Sequence, residues 1–436
     1  MKTKTHKNPK VNVITLGCSK NLVDSEVIMG QLQAGDFDVS HESQKSDAEI
    51  VIINTCGFIE NAKQESINTI LDYAGSKSER NIEKLIVTGC LSHRYKDELS
   101  REIPEVDAWF GTLELPALLR SVGADYKHEL LGERMQTTPK HYAYVKISEG
   151  CNRPCSFCAI PLMRGGHVSK SMEAIESEIK GLVRNGTKEV MLIAQDSTYY
   201  GLDLYGKRNL AELLERVSDI EGLDWIRLHY AFPSQFPMDA LPVIAQRSNI
   251  CKYLDIPVQH ISDNMLKTMR RGITRKRTES LIREIREQVS GIALRTTLLV
   301  GHPGESERDF EELVEFIQEF EFERLGVFTY SHEENTHAYS MADDIPTEVK
   351  EARAERLMQE QMKISEKLNA AKVGKTMKVL FDRLDGDSFV GRSEYDSPEV
   401  DNEIWVSAKD NYVRMGDFAN VQIESHSPYD LYGKIV

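Results

Sequence analysis

Cysteine is scarce in this chain: seven in 436 residues, an odd number, with three gathered in one short run and no fourth beside them. An odd count cannot close into complete pairs, and the stretch from Met1 to Lys10 is polar, without the apolar core of a secretion signal. A disulfide scaffold is therefore excluded, and a reducing compartment is expected. Long apolar runs are missing too. Those present, such as Glu49-Ile50-Val51-Ile52-Ile53 and Thr297-Leu298-Leu299-Val300, have the length of buried strands, well short of the roughly 20 residues of a membrane span. A soluble, cytoplasmic protein is expected. Positive charge is in deficit, with 54 Lys and Arg against 69 Asp and Glu and a formal net charge of −15. That balance disfavours broad adhesion to nucleic acid and suits a basic protein partner, with no membrane contact. Lys2, Lys4, Lys7 and Lys10 make residues 1–10 a small basic tail, read as a solvated end rather than a binding arm.

What is there begins with Ser148-Glu149-Gly150-Cys151-Asn152-Arg153-Pro154-Cys155-Ser156-Phe157-Cys158-Ala159. Thiolates hold iron–sulfur clusters, and a full cage takes four. Three on one tight loop leave one iron open to a substrate or cofactor. A structural zinc site is the competing reading, but such sites draw four ligands from two separated pairs, and no C-x2-C or H-x3-H partner follows.

Over residues 11–125 short apolar runs alternate with helical stretches, the pattern of a parallel α/β domain. Three of the runs end in cysteine. Val11–Gly17 leads into Cys18, Glu49–Thr55 into Cys56 and Lys84–Gly89 into Cys90. Ligands bind beyond the carboxyl ends of parallel strands, so the three thiols are expected to converge. Gly17, Gly57 and Gly89 beside them would let the backbone approach a bulky cluster. Each cysteine alone reads as a small buried hydrophobe; together they point to a second three-thiolate cluster. Cys251 has no partner at ligand spacing and reads as packing.

Residues 140–345 carry six strand-like runs: Tyr142–Ser148, Glu189–Gln195, Trp225–Ala231, Tyr253–Gln259, Ala293–Gly301 and Arg324–Ser331. Six βα units predict a partial barrel with the cysteine triad directly after its first strand, where such barrels keep their chemistry. Further candidates at strand ends are Gln195 with Asp196, His229, Gln259 with His260, and the loop Gly301-His302-Pro303-Gly304-Glu305. Ordinary loop polarity is the alternative for each, and the preferred one for His229. Residues 346–371 form a charged helix with apolar Leu357, Met358, Met362, Ile364 and Leu368, read as a connector. Residues 372–436 show β alternation and turn signals, a small β-barrel. Its eight basic and twelve acidic side chains leave a net −4, weak for phosphate binding.

The C-x3-C-x2-C spacing resembles the radical S-adenosylmethionine (radical SAM) superfamily. The three-part chain, over nearly its whole length, resembles the methylthiotransferase family within it, and the last barrel looks like that family's TRAM domain. The runs Gly17–Glu26, Ala159–His167, Val258–His260 and Val300–Glu305 resemble the branch that modifies an aspartate of small-subunit ribosomal protein twelve. Members of the other branch, which act on isopentenyl-adenosine in transfer RNA, tend to show Cys-Gln-Met-Asn at the first of these. The resemblance implies two 4Fe-4S clusters, one on Cys151, Cys155 and Cys158 that cleaves S-adenosylmethionine, and an auxiliary one on Cys18, Cys56 and Cys90 that carries the sulfur. It implies that a first S-adenosylmethionine methylates that sulfur and a second yields a 5'-deoxyadenosyl radical that takes a hydrogen from the aspartate β-carbon. Phe157 is implied against the adenine, with core packing as the alternative; Gln195 and Asp196 are implied as cofactor contacts. No catalytic residue beyond the cluster ligands is assigned. An external electron donor is required, and the acidic C-terminal segment disfavours RNA contact. A ferredoxin-like electron carrier and a non-catalytic RNA-binding protein are the rivals from other classes; neither explains a barrel devoted to an open-site motif.

Overall fold

The computed structural model describes residues 8–43, 47–127, 133–409 and 411–436. Contacts group the chain into two units, Met1–Thr138 with Tyr144–Asn152 and Ala159–Gly181, and Pro139–Ala143 with Arg153–Cys158 and Leu182–Val436. The division passes through the triad loop, so Cys151 belongs to the first unit and Cys155 and Cys158 to the second.

The first unit opens with β1 (Lys10–Thr15), α1 (Ser19–Gln33), β2 (Asp38–His41), β3 (Ile50–Thr55), α2 (Glu60–Gly75), β4 (Lys84–Gly89), α3 (Cys90–Glu102), β5 (Ala108–Trp109) and α4 (Leu115–Ser121). The strands form a parallel sheet in the order β2-β1-β3-β4-β5. Every residue of β3 is buried, because a central parallel strand is covered on both faces. Successive side chains alternate between those faces. Val11, Val13, Ile52 and Ile86 pack with Met29 of α1 and Leu118 of α4, whereas Val51, Ile53, Leu85 and Val87 pack with Ile70 of α2 and Leu91 of α3. The basic tail needs a correction at its end: Lys10 is the first residue of β1, its ammonium paired with Asp47. Lys2, Lys4 and Lys7 lie outside the described residues. Edge strands β2 and β5 were not anticipated, since neither carries an apolar run.

Next along the chain come β6 (Tyr142–Lys146), β7 (Ser148–Glu149), α5 (Ile160–Arg164), β8 (Val168–Ser169) and α6 (Met172–Arg184). They are followed by β9 (Glu189–Ile193), α7 (Leu202–Tyr205), α8 (Leu210–Ser218), β10 (Trp225–Leu228), α9 (Ala240–Gln246), β11 (Ile250–Asp255), α10 (Asp263–Thr268), α11 (Arg275–Gln288), β12 (Ala293–Val300), α12 (Glu307–Phe320) and β13 (Arg324–Thr329). The six long strands stand in chain order, β13-β12-β11-β10-β9-β6, the arrangement of a partial (βα)6 barrel. Cys251 lies inside β11, which begins at Ile250 and not at Tyr253, and packs with Trp225, Tyr253 and Leu380. Burial pushes its thiol up to about 12, opposed by Arg227.

Helix α13 (Thr347–Ala370) is more than a connector. It packs on β13 and α12, and polar groups anchor it. Arg353 pairs with Glu305 at 2.7 Å and Gln361 donates to the Phe322 carbonyl at 2.8 Å, while Met362, expected on the apolar face, is exposed. The strands β14 (Thr376–Asp385), β15 (Ser388–Arg392), β16 (Ile404–Ser407), β17 (Phe418–His426) and β18 (Leu431–Ile435) close a barrel in the order β14-β15-β16-β18-β17.

The acidity of this last barrel is largely turned inward. Asp396 holds Arg324, and Asp401 holds Arg295 at 3.3 Å and accepts from the Tyr253 hydroxyl at 2.8 Å. Arg392 reaches back to Glu189 at 2.8 Å and Asp382 at 2.6 Å. Glu189, Trp225 and Arg324 are first residues of β9, β10 and β13, so the small barrel is fixed to the amino ends of the sheet, opposite the carboxyl ends that position a site. Among its described residues Lys375, Lys378, Arg383, Lys409, Arg414 and Lys434 are exposed, against Asp385, Asp387, Glu399 and Glu424. Three of those cations are paired, Arg383 with Glu403, Arg414 with Asp417 and Lys434 with Glu424, which leaves Lys375, Lys378 and Lys409 as local positive points on an acidic segment.

Candidate functional site

In the first unit the three cysteines sit where three adjacent strands end. Cys18 follows β1 and caps α1, Cys56 follows β3, and Cys90 opens α3 directly after β4. In the 2-1-3-4-5 order β1 and β3 flank the point where the winding reverses, which is where open sheets take their ligands. Cys18 and Cys90 both stand at helix N-termini, where backbone amides point toward a bound group. The fit is close: at Gly17 (φ +93°) a Cβ would stand 2.8 Å from Cys56 Sγ, and at Gly57 one would stand 2.8 Å from the Leu91 amide. Ser66 clamps the Cys56 backbone, its hydroxyl accepting from the amide at 3.0 Å and donating to the carbonyl at 2.9 Å. Burial pushes the Cys90 thiol up to about 12; Arg164 pulls against this, and the charges of Cys18 and Cys56 add to it.

One side chain ties the three loops together. Asn21, fully buried, donates from Nδ2 to the carbonyls of Leu16 and Thr55 at 2.7 and 3.0 Å. These residues precede Gly17-Cys18 and Cys56. Its Oδ1 accepts from Cys90 Sγ at 3.7 Å and from Arg164 Nη2. Arg164 is itself held by Asp24 and Glu149, both at 3.0 Å. Burial alone would raise the Glu149 carboxyl, but Lys146 and Arg164 outweigh it and hold it at about 2. A permanent cation is thus braced against the cysteines.

The triad loop is shaped by glycine at Gly150 (φ +73°), where a Cβ would fall 2.1 Å from the Gly166 carbonyl oxygen. Cys151 is buried and its amide donates to the Gly165 carbonyl at 3.1 Å. In the second unit Cys155 and Cys158 are half-buried, with the Cys158 amide on the Cys155 carbonyl at 3.2 Å. Arg271, 3% exposed, donates from Nη1 to Cys155 Sγ at 3.2 Å and from Nη2 to the Pro257 carbonyl at 2.6 Å. Its buried Nε has no hydrogen-bond partner among the described residues. Among those residues no three His, Cys, Asp or Glu side chains stand at distances that would hold a single metal ion; a cubane cluster spaces its thiolates more widely, and soft thiolates are its proper donors.

Strand ends of the second unit behave differently from one another. His302 after β12 is fully buried, its Nε2 against Ser156 Oγ at 3.0 Å and its Nδ1 against the Pro303 carbonyl at 3.0 Å. Burial lowers its basicity, so it stays neutral and steadies the residue after Cys155. Glu305 joins His260 at 3.0 Å, Arg353, and the Gly301 amide at 2.6 Å. Asp196 caps the turn at Ser197–Tyr199 and holds Arg153 at 2.6 Å. Gln195 is half-buried beside it. Phe157 packs with Met265, Met269, Leu299 and Tyr330, edge-on to His302 at 6.3 Å. His229 turns toward Ser397 at 3.0 Å. Sequence reasoning missed Asn21, Arg164 and Arg271. A weak signal existed for Asn21, a poor helix former in the first turn of α1.

Comparison with known proteins covers the whole chain. Residues 10–111 match the uncharacterized protein family UPF0004, residues 145–317 the Radical SAM superfamily and residues 373–436 the TRAM domain. The chain is 61% identical over 436 residues to ribosomal protein uS12 methylthiotransferase RimO of Cytophaga hutchinsonii, covering 100% of both. It is 58% identical over 435 residues to the RimO of Flavobacterium johnsoniae, again covering 100% of each, and 54% identical over 431 residues to that of Bacteroides fragilis, covering 99% of this chain and 100% of the relative. Among solved structures, the radical S-adenosylmethionine methyltransferase TsrM from Kitasatospora setae, with cobalamin and a 4Fe-4S cluster bound, is similar with a TM-score of 0.53 at 15% identity, over 74% of this chain and 75% of that one.

Proposed function

The chain belongs to the RimO family of ribosomal protein uS12 methylthiotransferases, and from that premise we propose how its residues serve the reaction: transfer of a methylthio group to the β-carbon of a uS12 aspartate. It is a radical SAM sulfur-group transferase, with an iron–sulfur cluster and S-adenosylmethionine as cofactors. The observation that carries the finer reading is the meeting of three strand-end thiols, Cys18, Cys56 and Cys90, at one sheet switch point.

Cys151, Cys155 and Cys158 hold one 4Fe-4S cluster, and Cys18, Cys56 and Cys90 a second. When bound, these groups supply the electron that breaks a sulfonium carbon–sulfur bond and the sulfur that is delivered. No side-chain base could ionise an aspartate β-carbon near neutral pH, so hydrogen-atom removal is the available route. Arg271 orients Cys155 and keeps Nε for a carboxylate, which S-adenosylmethionine possesses. Neutral His302 fixes Ser156, and Phe157 offers an aromatic face. Asp196 works through Arg153, which lies 4.1 Å from the Phe232 ring centre. Arg164 offsets negative charge at the auxiliary thiolates, and Asn21 sets their spacing.

The TRAM match, with exposed Lys375, Lys378 and Lys409 in the C-terminal barrel, supports RNA contact beside the protein substrate, as suits a target that lives on the ribosome. Transfer RNA as the substrate is the weaker alternative, given relatives named for uS12 over the full chain. Anaerobic incubation of the reconstituted, reduced protein with S-adenosylmethionine, sulfide and either uS12 or prenylated transfer RNA, followed by mass spectrometry, tests the assignment. A methylthio gain on the aspartate supports it; a gain on the RNA alone overturns it.

A further inference from the structure

Beside the triad loop, within the second unit, lies an open groove of ≈ 790 Å³ lined by Pro154, Asp263, Lys267, Arg270, Ile273 and Thr274. Lys267 and Arg270 are exposed, and neither has an ion-pair partner among the described residues. Asp263, the carboxylate in the lining, is engaged by the Arg275 amide at 2.7 Å. Arg277, also exposed, is paired with Glu284 at 2.6 Å.

Two local preferences are violated to put cations here. Arg270 occupies the left-handed region (φ 55°) where α10 ends, a place a glycine would take without cost. Helix α11 begins Arg275-Lys276-Arg277 with no acidic residue in its first turn, against the sign its dipole favours. In a chain of net charge −15, a pair of such cations gives an acidic partner a local landing point, because screening limits each charge to roughly 10 Å.

The groove also lies close to the triad along the chain. Pro154 is exposed and precedes Cys155 directly, and Arg270 is one peptide bond from Arg271, whose guanidinium touches Cys155 Sγ at 3.2 Å. We propose that Lys267 and Arg270 form the docking surface for an acidic one-electron carrier protein, which reduces the centre held by the triad cysteines. This rests on the cluster reading above. In the step one electron leaves the carrier's reduced cofactor, which is oxidised by one unit, and is accepted at the iron–sulfur centre; no bond is made or broken and no proton moves. A small patch fits the purpose, since electron-transfer encounters are brief and bury little area.

The test is stopped-flow reduction of the reconstituted protein, following cluster bleaching and the reduced-cluster electron paramagnetic resonance signal, with either a reduced acidic flavodoxin or dithionite as donor. Lys267→Glu with Arg270→Glu is expected to slow reduction by flavodoxin about tenfold at low salt, the gap closing as salt rises, with dithionite rates and iron content unchanged. Lys267→Arg with Arg270→Lys should keep the wild-type rate. Unchanged flavodoxin rates in the charge-reversed protein would overturn the proposal, as would equal slowing with dithionite or an effect confined to ribosomal RNA binding. Failure of the wild-type protein to cleave S-adenosylmethionine with dithionite would instead strike the cluster reading itself.

Discussion

Asn21 accepts a hydrogen bond from Cys90 at 3.7 Å while its own amide holds the carbonyls ahead of Cys18 and Cys56. One short side chain therefore fixes three loops that are far apart in sequence. Replacing it with alanine strands two buried carbonyls, at about 1–3 kcal/mol each. Asn21→Ala is expected to bind roughly half the wild-type iron, still to release 5'-deoxyadenosine, and to make no methylthio product. Iron analysis with product chromatography checks this; full iron content in the variant would contradict it.

Arg271 makes a charged hydrogen bond to Cys155 and presents an unpartnered Nε. Such bonds are worth about 1.5–3 kcal/mol, so Arg271→Met should raise the KM for S-adenosylmethionine about 10- to 100-fold. Arg271→Lys should recover only part, lacking the planar fork. Initial rates of S-adenosylmethionine cleavage provide the readout.

Asp396 is the buried partner of Arg324 and also accepts from Ser393 Oγ at 2.7 Å. Removing its charge leaves a buried guanidinium uncompensated, a loss of about 3–5 kcal/mol. Asp396→Asn should bring forward the thermal transition in which the C-terminal barrel detaches, whereas the exposed Asp385→Asn should not. Differential scanning calorimetry distinguishes them.

The same contacts set an acid limit. Burial would raise the carboxyls of Asp382 and Asp396, but Arg392 and Arg324 respectively pull them below the ordinary range. A depressed carboxylate stabilises fully above its unfolded pKa, about 3.9, and that stability drains away as pH falls through the lower folded value. Asp401, pushed up by burial, acts in the opposite sense. Barrel stability is expected to be flat from neutral pH to about 5 and to fall below about 4. In Asp396→Asn that acid slope should shrink, as thermal scans across pH would register.

The sequence made the strand ends legible because each cysteine follows an apolar run, and the glycines beside them announce close approach. The six-strand barrel was legible for the same reason. Arg164 and Arg271 were not, since nothing in Leu162-Met163-Arg164 or Arg270-Arg271-Gly272 says which surface they will face. Charge counting could not show where the acids of the last barrel go: Asp382 and Asp396 are spent on buried Arg392 and Arg324, and Asp401 on half-buried Arg295. Short edge strands such as Asp38-Val39-Ser40-His41 bury one face weakly and so carry no pattern.

The most direct test of the account is the iron and product stoichiometry of the triple variant Cys18→Ala, Cys56→Ala, Cys90→Ala under dithionite. One 4Fe-4S cluster, continued 5'-deoxyadenosine release and no methylthio group on uS12 are expected. Two clusters in that variant, or a methylthiolated aspartate, would contradict it.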